Sequence, residues 1–282
     1  MLEGVSDFLM QHGSNGVVID DTDPAVAEIT AYLPEDQLET TLSDLGVYLA
    51  GLREIFPQLP EPHFTVEPLK IENWAVAWQD RFDTIEIGQY LMVTPPWLEP
   101  GPTGRQVVII EPAEAFGTGT HETTQGCLEL LEDAVDRLKR AQGDFSLLDI
   151  GCGSGILAIA GLKFGASGVR AVDNDPVAVQ AAAKNAALND VSNRLRPECT
   201  TLDQLTVPAD IVTANLDTST LLSNRDKLLS LYRKLLIVSG VPLDQWEHVK
   251  KELSLRNARL IREITRSEWG CGLFGREDGI VK

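Results

Sequence analysis

Residues 149–175 read DIGCGSGILAIAGLKFGASGVRAVDND. Three glycines alternate at the start, Gly151, Gly153 and Gly155, and Asp173 follows 22 residues after the first of them. An apolar run, SLLDI (146–150), precedes the loop, and an apolar helical segment (155–165) leaves it. Glycines at such a junction let the backbone turn sharply and admit a ligand where a Cβ would block it. Ligands of open α/β sheets sit beyond the carboxyl ends of the strands, where the free N–H groups of the next helix also point. Asp173 closes the next strand, VRAVD, so its carboxylate can accept both hydroxyls of a ribose. The stretch therefore predicts a nucleotide-like ligand.

The order of the glycines narrows that ligand. A dinucleotide fingerprint is GxGxxG, whose third glycine packs helix against strand. Here the order is D-x-G-x-G-x-G, and Ile156 stands where GxGxxG needs glycine. Ile156 thus argues against a nicotinamide-dependent oxidoreductase. Asp149, an acidic residue ahead of the loop, suits a cationic ligand better than a pyrophosphate. The pattern resembles motif I of class I S-adenosylmethionine-dependent methyltransferases. That resemblance implies a loop around the methionine part of the cofactor and an acidic residue on its ribose.

Outward from the loop, strands and helices alternate. Helices are expected at 125–140, 155–165 and 176–189, and strands at 146–150, 169–173, 210–215 and 235–240. RLIREITRS and EWGCGLFGRE close the chain with no helix between them, so they are expected to pair antiparallel at a sheet edge. The alternation predicts an α/β, Rossmann-like, mostly parallel sheet. Residues 84–97 and 105–112 are expected as two further strands around the turn LEPGPTG.

The first 70 residues read as a separate small α/β unit of order α-β-β-α-β. Its helices are expected at 2–12 and 38–56, and its strands at 16–20, 27–34 and 63–68. Leu38, Leu42, Leu45, Leu49, Leu52 and Phe56 recur at three- to four-residue spacing as one apolar stripe, expected to be core. Asp36 and Glu39 have the spacing of a capping box. Residues 71–83 are expected as a linker helix carrying Trp74 and Trp78. The domains are thus 1–70, the linker 71–83, and 84–282.

The chain of 282 residues carries a net charge of −18. Residues 1–70 hold 13 acidic and 2 basic side chains, a net of −11. Such a field opposes direct binding to a nucleic-acid backbone and would favour a basic partner, although charge alone reads first as a means of keeping the protein in solution. The four cysteines lie far apart, without metal-ligand spacing, which fits a reducing, cytoplasmic compartment and predicts no metal site. Cys152 is expected as a buried filler rather than a reactive thiol. No signal-peptide pattern or membrane-spanning apolar run is evident, so no membrane partner is expected.

Two further segments narrow the family. AFGTGTHETT (115–124) precedes the glycine loop, and DIVTANL (210–216) puts Asn215 at a strand end. With ENWAVAWQDRF and VTPPW, they make the chain, over residues 14–282, resemble the PrmA family, which methylates large-subunit ribosomal protein eleven. The resemblance implies S-adenosyl-L-methionine as cofactor and a basic ribosomal protein as partner. It implies transfer to lysine side chains and the N-terminal amine, with substrate recognition by a ferredoxin-like N-terminal domain. By motif match it places Thr124, Asp149, Gly151, Gly153, Gly155, Asp173 and Asn215 at the cofactor. Phe116, Gly117, Thr118 and Gly119 match the loop that covers it. Asn215 is also the candidate to orient the acceptor amine. His121 either lines the cofactor loop or fixes its own backbone, and Trp269 is expected as core.

The chain departs from the family in two places. Where N-[IL]-L-A is common, it reads Asn215-Leu216-Asp217-Thr218, so Leu216 and Asp217 are candidate substrate contacts. Asp217 could attract a cationic amine, alter specificity, or weaken transfer by keeping the amine protonated. Altered or weakened transfer with cofactor binding intact is the expectation taken from it. Secondly, the N-terminal unit opens with a helix where a ferredoxin-like β-α-β-β-α-β unit opens with a strand. The alternatives left open are methylation of another basic protein, such as an electron-transfer flavoprotein subunit, and a cofactor-binding interaction module with lost activity. A small-molecule N-methyltransferase would leave the acidic N-terminal unit without a role.

Overall fold

A computed structural model describes residues 2–14, 16–23, 26–57, 63–67, 82–112, 116–141 and 144–276. The chain divides into two compact units, Met1–Ile71 and Glu72–Lys282. In the first, helix α1 (Leu2–Gln11) precedes an antiparallel hairpin of β1 (Val17–Asp23) and β2 (Val26–Ala31), and α2 (Leu38–Ile55) follows. The hairpin is the only sheet of this unit among the described residues. The strand expected at 63–68 does not form over its described part, since residues 63–67 adopt no regular element. The expected linker helix at 71–83 lies outside the described residues except for 82–83, which are irregular.

The capping box expected at Asp36 and Glu39 is also absent. Pro34 starts a single 3-10 turn, Glu35–Gln37, ahead of α2, and α2 begins after Gln37 without a side-chain cap. Proline's fixed φ suits that turn, and Asp36 is thereby drawn into the turn instead of standing ahead of the helix. Of the leucine stripe on α2, Leu45 is buried, Leu38, Leu42, Leu49 and Leu52 are half-buried, and Phe56, just past the helix, is exposed.

The second unit opens with a three-stranded sheet. β3 (Ile85–Ile87) and β4 (Leu91–Thr94) pair antiparallel, and β4 pairs parallel with β5 (Gln106–Ile109). The single strand expected over 84–97 is thus a hairpin, turned at residues 88–90. Helix α3 (Glu122–Arg140) then leads into the main sheet. That sheet holds β6 (Ser146–Ile150), β7 (Gly168–Asp173), β8 (Glu198–Cys199), β9 (Ala209–Asn215), β10 (Tyr232–Pro242), β11 (Ala258–Arg266) and β12 (Trp269–Arg276). Their spatial order is β11-β12-β10-β9-β6-β7-β8. Neighbours from β10 to β8 run parallel, whereas β12 is antiparallel to both β10 and β11. This is the Rossmann-like, mostly parallel sheet that the alternation predicts, with its antiparallel edge pair. The last strand does not add to the edge. It inserts between β10 and β11.

Alternate residues of each strand feed two apolar layers, as the two-residue strand period requires. Leu147, Ile211, Leu235 and Ile237 face one layer with α3, α4 (Ile156–Lys163) and α5 (Pro176–Leu188). Leu148, Val212, Leu236 and Val238 face the other, with α6 (Thr218–Ser223), α7 (Arg225–Leu231) and α8 (Leu243–Ser254). Coverage on both faces explains why these strands read as nearly continuous apolar runs.

Two buried asparagines, Asn185 on α5 and Asn189 at its C-cap, hold the end of the small sheet. Asn189 Oδ1 accepts from Ile109 N–H at 2.9 Å, and its Nδ2 donates to the Ile109 carbonyl at 2.6 Å. One turn earlier, Asn185 Oδ1 accepts from Glu111 N–H at 2.9 Å while its Nδ2 donates to the Ser154 carbonyl at 2.9 Å. The pair completes the hydrogen bonding that β5 lacks from a neighbouring strand. Asn185→Leu removes both of its bonds and leaves a buried carbonyl and an N–H without partners. It is expected to cost about 2–4 kcal/mol. Urea unfolding should show a lower midpoint at unchanged slope, and an unmoved midpoint would refute the link.

Candidate active site

The glycine loop joins β6 to α4 at the carboxyl end of the sheet. Gly151, Gly153 and Gly155 all take positive φ, at 67°, 51° and 79°. At Gly153 the demand is double, because a Cβ there would also overlap the Phe116 carbonyl. Asp173 lies at the end of β7. Its Oδ2 accepts from Gly153 N–H at 2.9 Å, and its Oδ1 accepts from Asp175 N–H at 3.0 Å. A carboxylate has about four acceptor positions, so Asp173 keeps capacity for two further donors such as vicinal hydroxyls.

Phe116–Gly119 is sewn to the same loop through Ser154. Ser154 N–H donates to the Phe116 carbonyl at 2.9 Å, and its hydroxyl donates to the Gly117 carbonyl at 2.6 Å. The Thr118 and Thr120 hydroxyls are 2.8 Å apart. The Phe116 side chain is half exposed and packs edge-on to His121, ring centroids 5.1 Å apart. His121 in turn packs edge-on to Trp269, at 5.3 Å. Trp269 is only half-buried and belongs to this aromatic row. The tryptophan that fills the core is Trp246, packed against Phe274 at 6.3 Å. Trp269 opens β12 at the strand's end, which places its ring at the sheet's rim and corrects the core expectation.

His121 caps α3, its Nδ1 accepting from Thr123 N–H at 3.3 Å. Thr124 follows inside the helix, and its buried hydroxyl has no hydrogen-bond partner among the described residues. On the sheet, Asn215 ends β9, and its Nδ2 donates to the Thr123 hydroxyl at 3.2 Å. Leu216 turns back over the cofactor loop, close enough that a Cβ on Gly151 would strike its side chain. Asn215 and Leu216 therefore stand beside the glycine cradle, although Asn215 and Thr123 are 92 residues apart in sequence.

Asp217 is placed differently from the sequence expectation. It is exposed and caps α6: Oδ1 accepts from Thr220 N–H at 3.0 Å and Oδ2 accepts from the Thr220 hydroxyl at 2.6 Å. The Thr220 hydroxyl and N–H hold its carboxyl below the usual range. This is the local chemistry of an N-cap acid. Each oxygen thus accepts one bond from the helix start, a local capping role for Asp217.

Asp149 is the most constrained ionisable group of the site. It is 1% exposed, with Oδ1 accepting from the Thr213 hydroxyl at 2.7 Å and Oδ2 without a partner. Burial pushes its pKa up to about 7, opposed by the Thr213 bond and reinforced by the Asp173 charge. A cationic ligand nearby would supply what the orphan oxygen lacks. Cys152, beside it, is buried, and burial raises its thiol pKa, so it stays protonated at neutral pH. The glycine cradle, spare capacity on Asp173, the orphan Asp149 oxygen and the orphan Thr124 hydroxyl together fit an adenosine cofactor with a cationic amino-acid tail.

The raised pKa of Asp149 has a definite sign in stability. The folded protein holds this proton more tightly than the unfolded chain does, so folding is penalised increasingly as pH rises from about 4 to about 7. Asp149→Asn removes the charge but buries an amide N–H2 where Oδ2 sits. The variant without cofactor is expected to be more stable than wild type at pH 8 by about 1–3 kcal/mol, with the gap closing towards pH 5. Melting curves across that range test this, and a pH-independent difference would contradict it.

Asn185, which holds the Ser154 carbonyl, and Thr123, which meets Asn215, were not singled out from the sequence. Both are polar residues inside helices at positions later found buried. The sole sequence signal was a polar side chain interrupting an apolar helix face.

A family model described as ribosomal protein L11 methyltransferase (PrmA) matches residues 1–277. The chain is 34% identical over 287 residues to the ribosomal protein L11 methyltransferase of Trichlorobacter lovleyi, covering 96% of this chain and 93% of that protein. It is 32% identical over 256 residues to the protein of that name from Pelobacter propionicus, covering 89% and 82%. A crystal structure of ribosomal protein L11 methylase from Lactobacillus delbrueckii subsp. bulgaricus superposes with a TM-score of 0.60 at 27% identity, over 69% of this chain and 99% of that chain. The cofactor of the family is S-adenosylmethionine. From the N-terminal unit to the closing strands, this chain belongs to the ribosomal protein L11 methyltransferase (PrmA) family.

Proposed function

We propose that the protein transfers methyl groups from S-adenosyl-L-methionine to amines of ribosomal protein L11, namely lysine side chains and the N-terminal α-amine. The observation that carries this reading is the Leu216 side chain lying against Gly151, which brings the adjoining strand end at Asn215 up to the glycine loop. When bound, the cofactor supplies a methyl group on a sulfonium, an electrophile that needs no metal and no covalent enzyme intermediate. Gly151, Gly153 and Gly155 would hold its methionine part. Asp173 would hold the ribose hydroxyls, and Thr124 and Asp149 would complete the polar contacts. The loop Phe116–Gly119 would cover the site and exclude water.

What remains for the protein is to align the acceptor and to present it unprotonated. A free lysine costs about 4–5 kcal/mol to neutralise at pH 7. Partial burial among Phe116, His121 and Trp269 lowers that cost, because desolvation disfavours the ammonium. The Asn215 amide oxygen can then accept from the remaining N–H and direct the lone pair. The acidic N-terminal segment, with a net of −11 over residues 1–70, supports a basic protein as partner. Asp217 has a structural role of its own as the cap of α6, so its presence does not require an inactive interaction module.

The direct test is incubation of the purified protein with labelled S-adenosylmethionine and L11, followed by mapping of the label. Methylated lysines and N-terminus are expected, and label on some other protein of a lysate instead of L11 would overturn the substrate. Asp173→Ala should lower cofactor affinity at least about 10-fold, by loss of two charge-assisted bonds. Asp217→Ala should cost about 1 kcal/mol of stability as a lost cap. Its transfer rate should nevertheless stay close to wild type, and a large change in rate would restore Asp217 to the acceptor site.

A further inference from the structure

Thr123 is buried, 1% exposed, in the first turn of α3, yet its hydroxyl meets two side chains from different parts of the site. His121 Nδ1 lies 2.7 Å away and Asn215 Nδ2 lies 3.2 Å away. The directions of these bonds follow from one fact. His121 Nδ1 also faces Thr123 N–H at 3.3 Å, and a backbone N–H can only donate. Nδ1 therefore presents its lone pair, and the ring proton sits on Nε2. The Thr123 hydroxyl must then give its hydrogen to Nδ1, which leaves only lone pairs facing Asn215. The group of Asn215 on that side must be the NH2. A flipped amide would set oxygen against oxygen.

We infer that Thr123, oriented by the His121 cap, is a positioning residue that locks the Asn215 amide with its oxygen turned away from α3 and free to receive the acceptor amine. This rests on the proposed amine methylation, and it adds the reason why Asn215 presents oxygen and not nitrogen. Among the described residues, Asn215 Oδ1 has no hydrogen-bond donor, as an oxygen reserved for an incoming N–H requires. The arrangement also gives His121 a role. It is a cap whose acceptor lone pair sets the sense of a chain of three hydrogen bonds ending at the reacting amine.

Thr123→Val removes the hydroxyl at nearly constant volume, and Thr123→Ser keeps it. With L11 as substrate, Thr123→Val is expected to lower kcat about 10- to 100-fold with KM for S-adenosylmethionine within about 3-fold, while Thr123→Ser stays within about 3-fold of wild type. In an Asn215→Ala background the valine substitution should add less than about 2-fold. Equal losses for Val and Ser, or a full multiplicative loss on Asn215→Ala, would overturn the inference. An NMR readout separates it from the substrate assignment. The Asn215 side-chain NH2 protons should exchange slowly in wild type and Thr123→Ser, and rapidly in Thr123→Val. That contrast upholds the lock even if L11 is not methylated, whereas unchanged exchange refutes it even if L11 is.

Discussion

The hydrogen bonds of Ser154 are the interaction on which the site depends. One residue joins three segments: its N–H and hydroxyl reach the Phe116 and Gly117 carbonyls, and its own carbonyl receives Asn185 Nδ2. Asn185 in turn holds Glu111 N–H at the end of β5. The glycine loop, its covering loop, α5 and the small sheet are therefore positioned by a single cluster of short polar contacts. Ser154, Gly117 and Asn185 are buried, so a missing partner among them carries a desolvation cost. This is why the loop can be rich in glycine, the most flexible residue, and still present a defined cradle.

The same loop carries an electrostatic liability. Asp149 sits buried with one unpaired oxygen and a second carboxylate, Asp173, nearby. In a ligand-free protein this is unfavourable, since both burial and the like charge oppose ionisation. The arrangement becomes reasonable once a cation is expected in the cradle, because the site's unmet electrostatic demand then becomes binding energy for that cation. Strained or unsatisfied groups concentrate where a ligand completes them, and Thr124 follows the same logic.

The acceptor side works by geometry more than by acid–base strength. His121, linked to Asn215 through the Thr123 hydroxyl, has its Nδ1 occupied in capping α3. In the proposed reaction the protein would offer an amine the aromatic row of Phe116, His121 and Trp269 and the amide oxygen of Asn215. On that proposal desolvation would supply the neutral amine and alignment the rate, a division suited to a reaction whose leaving group is already good. A flat rim with one fixed acceptor also demands little of the amine's surroundings, which agrees with a reading in which side-chain and terminal amines both serve.

Much of this was readable from the sequence, and the reason is locality. The glycine loop, Asp173 and Asn215 were legible because strand, turn and helix signals lie within a few residues of each chemical group. That the central strands run parallel followed from their alternation with helices, and the antiparallel closing pair from the missing helix between them. The family resemblance added Thr124 and the covering loop. Only the tertiary structure decided where β12 inserts and that Asn185 and Asn189 complete β5. It alone showed that Thr123 meets Asn215 across 92 residues, and that Asp217 turns to its own helix instead of to the acceptor. A polar side chain's role is set by which partner reaches it once water is excluded. Sequence spacing specifies that partner within a turn or a strand end, but not between elements brought together by packing.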